Sequence, residues 1–341
     1  MSNDAEKVPY ISVLIITYNY EKELQRALDA ICGQTFRDFE VIVVDDCSTD
    51  NTVAMMENYI AMHSETAIKL VCHEKNSGII AARNTALSHA KGIYCYMHDA
   101  DDWMDLNCLE TLAKEAKYNF ADRIIAEFRD VDVKGKVHQV RNLPKKPNHW
   151  LYPMHDGCMY KRSVIVDNHI QYEDRSWDDL TFNFLFSCKL KTVSYIHQPI
   201  HNYYVNPDSA SGSNTTKKNT DISKFSKLVE LYLEKVPELS EEDKTYAQYC
   251  VIKYYFSAIL QEGRYMNYSD LMEKYHKLSS EMKKNIPNYR KNRNLKFFRQ
   301  NGERAYGRMI TWSLVTLEKM RLFKPALWCY LKLSKVFYFP I

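Results

Sequence analysis

The N-terminal part of the chain alternates short apolar runs with segments of helical period, and this alternation is the strongest constraint on the fold. The apolar runs are rich in β-branched residues and span 11–17, 39–44, 68–72 and 93–97. The segments between them repeat apolar residues at helical spacing and span 21–31, 52–62 and 79–90. Strand and helix in alternation predict a mostly parallel, doubly wound α/β sheet. Ligands bind such sheets beyond the carboxyl ends of the strands.

The middle of the chain mixes strand and helix patterns. Residues 122–140 alternate like a β-hairpin around Lys134-Gly135. Residues 177–190 repeat apolar residues at helical spacing after the acidic pair Asp178-Asp179. Residues 192–197 indicate a further strand. We therefore expect the sheet to continue beyond its parallel part.

A polar stretch rich in Asn, Ser, Thr, Gly and Pro then divides the sequence. It spans 206–218 and predicts a linker, and only helical patterns follow it from Asp221 onward. We predict an α/β domain over 1–213 and an all-α domain over 214–341. The chain has 341 residues, of which 45% are hydrophobic and 26% charged, a composition that excludes a disordered or fibrous protein.

The net charge of +3 divides unevenly between the two predicted domains. Residues 1–213 carry 22 Lys and Arg against 30 Asp and Glu, whereas residues 214–341 carry 24 against 13. An acidic domain joined to a basic one suggests that the second domain faces a polyanion or a membrane surface.

Basic and apolar residues are interleaved in the predicted helical domain. Residues 283–302 contain seven Lys or Arg and no Asp or Glu, and residues 308–341 mix Lys and Arg with aromatic and aliphatic residues. This pattern suits contact with the surface of an anionic bilayer. The alternative is a helical cap whose apolar face packs on the first domain. We do not expect nucleic-acid binding, because no nucleic-acid motif is present.

Cysteine usage and the N-terminus bear on the compartment. The nine cysteines occur singly and form no CxxC pair, which is typical of reduced intracellular thiols. The N-terminus has no apolar signal core, and no run of about 18 apolar residues predicts a spanning helix. We expect a cytoplasmic protein that can lie peripherally on the inner face of the cell membrane.

An acidic cluster follows the fourth apolar run. Asp99, Asp101 and Asp102 lie within four residues of one another, and carboxylates this close repel unless a cation or hydrogen-bond donors offset their charge. Asp99 and Asp101 are two apart on an extended backbone and therefore point the same way. They can share one Mg²⁺ or Mn²⁺ with the phosphates of a nucleoside diphosphate. The alternative is N-capping of a helix that begins near Leu106.

Two further motifs lie next to predicted strand ends. The pair Asp45-Asp46 emerges from a buried strand, where a carboxylate can accept a hydrogen bond from a ribose hydroxyl or a base N–H. We assign that role to Asp46, because Asp50 or Ser48 suffices to cap the following helix. Arg83 on the next predicted helix can reach a pyrophosphate, and the alternative is a surface arginine. The absence of GxGxxG and GxxxxGK[ST] disfavours dinucleotide-fold and P-loop phosphate binding.

Four motifs occur in the order and spacing of a known family. They are Thr17-Tyr18-Asn19, Val44-Asp45-Asp46-Cys47-Ser48-Thr49-Asp50, Asn76-Ser77-Gly78 with Ala82-Arg83-Asn84, and Asp99-Ala100-Asp101-Asp102. Together they resemble glycosyltransferase family 2 over about residues 10–210. Members have the GT-A fold, a Rossmann-like and mostly parallel central sheet flanked by helices, and most are inverting enzymes that use nucleotide-sugar donors.

The resemblance implies a role for each matching residue. It places Thr17, Tyr18 and Asn19 in the nucleotide pocket, Asp46 at the uracil, Arg83 near the diphosphate, Asp99 near the ribose or donor sugar, and Asp101 at the metal-binding end of the DxD motif. The implied cofactor is Mn²⁺ or Mg²⁺.

The family's acceptor-side element is a Glu-Asp pair before a helix, and here Asp178-Asp179 takes its place. The resemblance implies that Asp179 is the general base, with Asp178 as the second candidate. An inverting transfer needs such a base, because the acceptor hydroxyl loses its proton as it attacks the anomeric carbon. The family's Tyr-Tyr-Arg segment lacks its arginine after Tyr204, and His201 or Ser209 can partly substitute for it.

We therefore predict an inverting, metal-dependent glycosyltransferase that moves a sugar from a UDP-sugar donor to a glycan or lipid-linked acceptor in bacterial capsule, O-antigen or other cell-surface polysaccharide synthesis. Trp150, His155 and Trp177 are candidates for lining the sugar pocket. Two rivals stay open: a nucleotidyltransferase, and a non-catalytic scaffold of a polysaccharide-assembly complex.

Overall fold

The computed structural model describes residues 7–173, 177–205, 220–261 and 263–333. Within these residues the chain forms two compact units. The first unit comprises 7–143 and 153–205, and the second comprises 144–152 and 220–333. The predicted linker 206–218 lies outside the described residues, so the domain limits 1–213 and 214–341 remain a proposal. The nine cysteines are all described and free of disulfides.

The first unit is built on a nine-stranded mixed sheet. Its strands are β1 (Ile11–Thr17), β2 (Phe39–Asp45), β3 (Ala67–Cys72), β4 (Tyr94–Asp99), β5 (Trp103–Met104), β6 (Arg123–Val131), β7 (Val137–Arg141), β8 (Cys158–Lys161) and β9 (Val193–Tyr204). They are arranged in the order β3-β2-β1-β4-β8-β6-β9-β5, with β7 paired to β6. Strands β1 to β4 pair in parallel, as predicted from their alternation with helices.

Antiparallel strands extend this parallel part. Strand β8 joins β4 to β6 and is antiparallel to both. The predicted hairpin is present as the antiparallel pair β6 and β7, and the predicted strand at 192–197 continues to Tyr204 as β9. Strand β9 is parallel to β6 and carries the antiparallel β5.

Six helices flank the sheet of the first unit. They are α1 (Glu21–Cys32), α2 (Thr52–Met62), α3 (Ile79–His89), α4 (Cys108–Asn119), α5 (Arg162–Asp167) and α6 (Asp178–Lys189). Helix α1 shows the physical reason for its formation, since Leu24, Leu28 and Ile31 recur at helical spacing and are fully buried. Burying each such side chain stabilises the fold by about 1.5–3 kcal/mol.

The central strands are mostly apolar because both faces of the sheet are covered. In β1, residues Ile11, Val13 and Ile15 are fully buried on one face, and Leu14 is 3% exposed on the other. The buried Ser12 is an exception, and its hydroxyl donates to Glu40 of β2 at 2.7 Å. Because β1 lies between β2 and β4 in parallel register, Thr17 pairs with Asp45 and Ile16 with Asp99.

The second unit is helical in its described residues, as predicted from Asp221 onward. Besides short 3₁₀ turns it contains α7 (Ser223–Lys235), α8 (Glu241–Leu260), α9 (Tyr268–Asn285), α10 (Ala305–Lys319) and α11 (Phe323–Leu333). No helix in the described part of the chain is long and apolar enough to cross a membrane. The segment 144–152 also belongs to this unit, where the Trp150 indole donates to Asp243 at 3.0 Å.

A buried carboxylate ties the second unit together. Glu318 of α10 is 4% exposed and accepts hydrogen bonds from the hydroxyls of Tyr255 and Tyr289 and, at 3.3 Å, from Arg290. A buried carboxylate is tolerated only when charge and hydrogen bonds satisfy it. These contacts join helices α8 and α10 and the turn that follows α9.

Candidate active site

The polar residues of the first unit gather at the carboxyl ends of β1, β2 and β4. The backbone N–H of Asp46 donates to the carbonyl of Thr17 at 2.9 Å, which links the ends of β2 and β1. This edge is where an α/β sheet ordinarily binds its ligand.

Asp46 organises the loop that precedes α3. Its carboxylate is 4% exposed and accepts hydrogen bonds from the backbone N–H groups of Ser77 and Gly78 at 2.8 and 2.7 Å. The His73 ring contacts the same carboxylate at 2.8 Å. Gly78 has φ +87°, a conformation that favours glycine. Asp46 thus positions the loop, and its predicted contact with a nucleotide base remains a prediction.

Asn19 performs a similar task on the neighbouring loop. Its side-chain oxygen accepts the N–H of Thr49 at 2.7 Å, and its own N–H donates to the Ser48 hydroxyl at 2.9 Å. Asn19 itself adopts a left-handed conformation with φ +58°, which Asn tolerates better than most residues. The loops after β1 and β2 are therefore held together at the predicted nucleotide pocket.

The other two residues of that motif differ in exposure. Thr17 is 4% exposed, and its hydroxyl has no hydrogen-bond partner among the described residues. Tyr18 is 41% exposed and offers an open aromatic face. An unsatisfied buried hydroxyl is costly in a folded chain, and the predicted contact of Thr17 with a nucleotide remains a prediction.

The two carboxylates predicted to bind metal follow β4. Asp99 lies 3.3 Å from Arg83, whereas no ion pair forms at the Asp101 carboxylate within the described residues. Burial, and then the charge of Asp99, raise the pKa of Asp101 to about 6. Arg26 donates to the backbone carbonyl of Asp101 and lies 4.1 Å from the Trp103 ring centroid, which fixes the loop.

Arg83 is the hub of the site. It projects from α3, is 8% exposed and pairs with Asp99, Asp178 and Asp179. Its guanidinium also lies 5.3 Å from the centroid of the Tyr172 ring. The predicted diphosphate contact of Arg83 remains a prediction, because the structure shows this side chain engaged by carboxylates. One cation thus joins the acid after β4 to the acids that begin α6.

The pKa values of the two carboxylates at the start of α6 are shifted in opposite directions. Burial raises the pKa of Asp178 to about 6, against the opposing charge of Arg83. Burial also acts to raise the pKa of Asp179, but His155 and Arg83 outweigh it and hold that pKa below its usual range. Asp179 is therefore a carboxylate at neutral pH, whereas Asp178 titrates closer to it.

His155 is the principal partner of Asp179, and the sequence indicated it only as a candidate pocket residue. Its Nε2 lies 2.9 Å from Asp179 and 2.8 Å from the Tyr172 hydroxyl. On the other side, Nδ1 contacts the Tyr160 hydroxyl at 3.1 Å, and that hydroxyl donates to Asn183. This buried chain of hydrogen bonds fixes both the imidazole and the carboxylate it faces.

A second polar cluster joins Asp102 and His201, which the sequence analysis named, to Asp156, which it did not. Asp102 and His201 are each 1% exposed and contact each other at 2.9 Å, and Asp156 lies 3.4 Å from the same imidazole nitrogen. The backbone N–H of Tyr204 and the hydroxyl of Tyr96 complete the hydrogen bonding. No local sequence pattern indicated Asp156.

The residues present are suited to a divalent cation. Carboxylate oxygens are the ligands that Mg²⁺ and Mn²⁺ prefer, and the Asp101 carboxylate makes no ion pair within the described residues. Ligand atoms of Asp102, Asp156 and His201 also lie within 4.8 Å of one another. Burial lowers the pKa of His201, but hydrogen bonds and charge from Asp102 and Asp156 raise it to about 10. His201 must therefore lose a proton before it can bind a metal, so the pair Asp99 and Asp101 fits a cation better.

The fold and the site define a glycosyltransferase domain of the GT-A type. Residues 12–169 match the family model described as Glycosyl transferase family 2. This is the family that the four motifs resemble.

Known proteins with similar sequence or structure agree with this assignment. The poly(ribitol-phosphate) beta-N-acetylglucosaminyltransferase TarP of Staphylococcus aureus is 27% identical over 284 residues, or 78% of this chain and 84% of TarP. The structure of S. aureus TarS residues 1–349 in complex with UDP-GlcNAc superposes with a TM-score of 0.71 at 18% identity, covering 92% of this chain and 89% of that one. A mannosyltransferase from Pyrobaculum calidifontis in complex with GDP-Man and Mn²⁺ gives a TM-score of 0.53 at 16% identity, covering 97% and 87%.

Proposed function

We propose that the protein is an inverting glycosyltransferase that transfers a sugar from a UDP-sugar to a glycan or lipid-linked acceptor during assembly of a bacterial cell-surface polysaccharide. The observation that carries this proposal is the Arg83 hub. It holds an acid after β4, predicted to face the donor, beside the two acids of α6, predicted to face the acceptor.

The donor pocket is proposed at the ends of β1 and β2. The free hydroxyl of Thr17 and the exposed ring of Tyr18 offer a hydrogen bond and a stacking face to a nucleoside. The TarS complex contains UDP-GlcNAc and the mannosyltransferase complex contains GDP-Man. We favour UDP, since the TarS complex with UDP-GlcNAc has the higher TM-score, 0.71 against 0.53 for the complex with GDP-Man.

Asp179 is proposed as the general base, with Asp178 as the alternative. A base must be ionised before it can accept the proton of the acceptor hydroxyl. His155 and Arg83 keep Asp179 ionised and oriented, at the expense of its basicity. Asp178 has a pKa of about 6 and is the stronger base of the two. The dependence of rate on pH therefore separates them.

Asp99 and Asp101 are proposed to hold Mn²⁺ or Mg²⁺. A cation bound there would offset the negative charge that develops on the departing diphosphate. Arg26 keeps the loop that carries both acids in place through the carbonyl of Asp101.

The test is transfer of sugar from UDP-GlcNAc and related UDP-sugars, with the anomeric configuration of the product read by NMR. UDP with Mn²⁺ should raise the melting temperature of the full chain, and Asp101→Asn should abolish that increase. Asp179→Asn should lose activity by two to four orders of magnitude while retaining UDP binding, as expected for removal of a general base. Full activity in Asp179→Asn would show that Asp179 is not the general base and would favour Asp178 instead. If the protein neither binds UDP nor transfers sugar from any nucleotide sugar, the result favours the non-catalytic scaffold.

We also propose that the second unit makes a peripheral contact with an anionic membrane surface. The support is its excess of basic residues and the exposure of large apolar side chains, with Phe298 91% and Trp328 52% exposed. Such residues insert at the headgroup level while cations attract anionic lipid. Replacing both with Ala should reduce cosedimentation with phosphatidylglycerol vesicles, and unchanged binding would refute the contact.

A further inference from the structure

A cationic groove lies on the second unit, apart from the residues proposed for sugar transfer. It has a volume of about 630 Å³ and is formed by side chains of α9 and of the start of α11. Its polar lining consists of His276, Ser279, Ser280, Lys283, Lys284 and Lys324, together with the ring of Tyr275. No carboxylate lines it.

Helical spacing produces this arrangement on α9. Residues four apart lie one above the other on the same face of a helix, so Ser279 stands beneath Lys283 and Ser280 beneath Lys284. The two rows are adjacent, and each ends in an ammonium group near the C-terminal end of α9. Hydroxyls and ammonium groups therefore alternate along one side of the groove.

The adjacent lysines of the groove have no acidic partner within the described chain. Lys283 and Lys284 make no ion pair there, although they are adjacent and repel each other. The nearby acids of α9 bond elsewhere, since Glu273 pairs with Lys277 at 2.8 Å and Glu281 accepts from Asn285 at 2.8 Å. An anion in the groove would relieve the repulsion between the lysines.

Lys324 adds a third cation from the opposite side. It lies in the first turn of α11, where the helix dipole disfavours a positive charge. Its ammonium group donates to the His276 ring at 3.3 Å rather than to a carboxylate. The amino end of α11 and this ammonium group therefore present positive potential to the same groove.

We propose that this groove binds a phosphate group. Phosphate offers several strong acceptor oxygens and negative charge, which match three ammonium groups and the Ser280 hydroxyl, with no carboxylate among the described residues that line the groove. Phosphate groups occur both on soluble molecules and on lipid headgroups, and the groove recognises the chemistry that they share. The proposal does not depend on sugar transfer by the first unit.

The test compares two charge-matched variants of the full chain. The groove variant carries Lys283→Gln, Lys284→Gln and Lys324→Gln, and the control variant removes three exposed lysines of the same unit, Lys291→Gln, Lys296→Gln and Lys319→Gln. One arm titrates inorganic phosphate and pyrophosphate at constant ionic strength by calorimetry. The other measures cosedimentation with vesicles of phosphatidylglycerol and phosphatidylcholine, against phosphatidylcholine alone.

The groove variant should bind about tenfold more weakly than the wild type, and the control should bind as the wild type does. This result with inorganic phosphate or pyrophosphate identifies a soluble phosphate as a ligand, and the same result with vesicles alone identifies a lipid headgroup. Equal losses in both variants would show only a diffuse basic surface and overturn the proposal. Absence of wild-type binding in both arms would overturn it as well. UDP binding measured on the same samples reports separately on the donor site.

Discussion

Removal of the Arg83 side chain should destabilise the first unit in a pH-dependent way. In Arg83→Met the guanidinium is lost, and Asp99, Asp178 and Asp179 face one another without it. Breaking a buried ion pair by removing one partner costs about 3–5 kcal/mol. The side chain of Asp99 is 45% exposed and that of Asp179 35%, so solvent screens part of the repulsion and we expect about 3 kcal/mol.

The pH dependence follows from the sign of the pKa shifts. Arg83 and His155 lower the pKa of Asp179 in the folded state. That contribution to stability is present above the unfolded pKa of about 3.9 and is lost as the pH falls through the folded value. In the variant the acids are more readily protonated, and protonation removes their repulsion. The difference between wild type and Arg83→Met should therefore be largest near pH 8 and shrink toward pH 5.

The assay is thermal and urea unfolding from pH 5 to 8, with hydrogen exchange in α3 and α6 to locate the effect. A loss of about 3 kcal/mol corresponds to a decrease in melting temperature of roughly 6–12 °C for a unit of this size. Arg129→Met is a matched control, because Arg129 pairs with Asp105 in the same unit and its side chain is 23% exposed, against 9% for Arg83. A loss below about 1 kcal/mol, or a loss independent of pH, would refute the role of Arg83 as the hub.

Three further changes test other parts of the structure. His155→Gln should raise the pKa of Asp179 and move the acidic limb of the kcat/KM profile upward by roughly one pH unit, and an unmoved limb would contradict the assigned contact. Glu318→Ala should reduce the unfolding free energy of the second unit by about 3 kcal/mol, because it leaves Arg290 and two tyrosine hydroxyls without their partner; urea unfolding measures this, and Glu318→Gln should lose less. Gly78→Ala should cost about 1–3 kcal/mol through backbone strain alone, since its new Cβ meets no atom within 4 Å, and UDP affinity measured by calorimetry should fall with it.

The parallel part of the sheet could be predicted from the sequence because strands β1, β2 and β4 are buried on both faces. Continuous apolar runs separated by amphipathic segments leave few alternative folds. The predicted run 39–44 became β2 over Phe39–Asp45, and 93–97 became β4 over Tyr94–Asp99. Strand β2 gains Asp45 and strand β4 gains His98 and Asp99, since the hydrogen-bonded ladder extends one or two positions beyond the apolar pattern.

The contacts of Arg83 could not be predicted in the same way. Arg83 follows Ile79, Ile80, Ala81 and Ala82 on α3. This sequence has no clear polar face, so its pattern does not distinguish a surface arginine from a buried one. Its partners lie 95 and 96 residues away in sequence, and no local periodicity reports a contact of that kind. The inclusion of residues 144–152 in the second unit escaped prediction for the same reason, because it depends on long-range packing.

The balance of charge around Arg83 predicts how the donor site responds to metal removal. Asp99 and Asp101 face a donor that itself brings a negatively charged diphosphate, and Arg83 is already engaged by carboxylates. Like charges at a few ångströms repel by an amount that only a nearby cation offsets. UDP should therefore bind the wild type more weakly in EDTA than with Mn²⁺. Asp101→Asn, which removes one negative charge, should bind UDP more tightly than the wild type in EDTA and more weakly with Mn²⁺. Calorimetric titrations that show the same UDP affinity for both proteins under both conditions would mean that these carboxylates do not face the diphosphate.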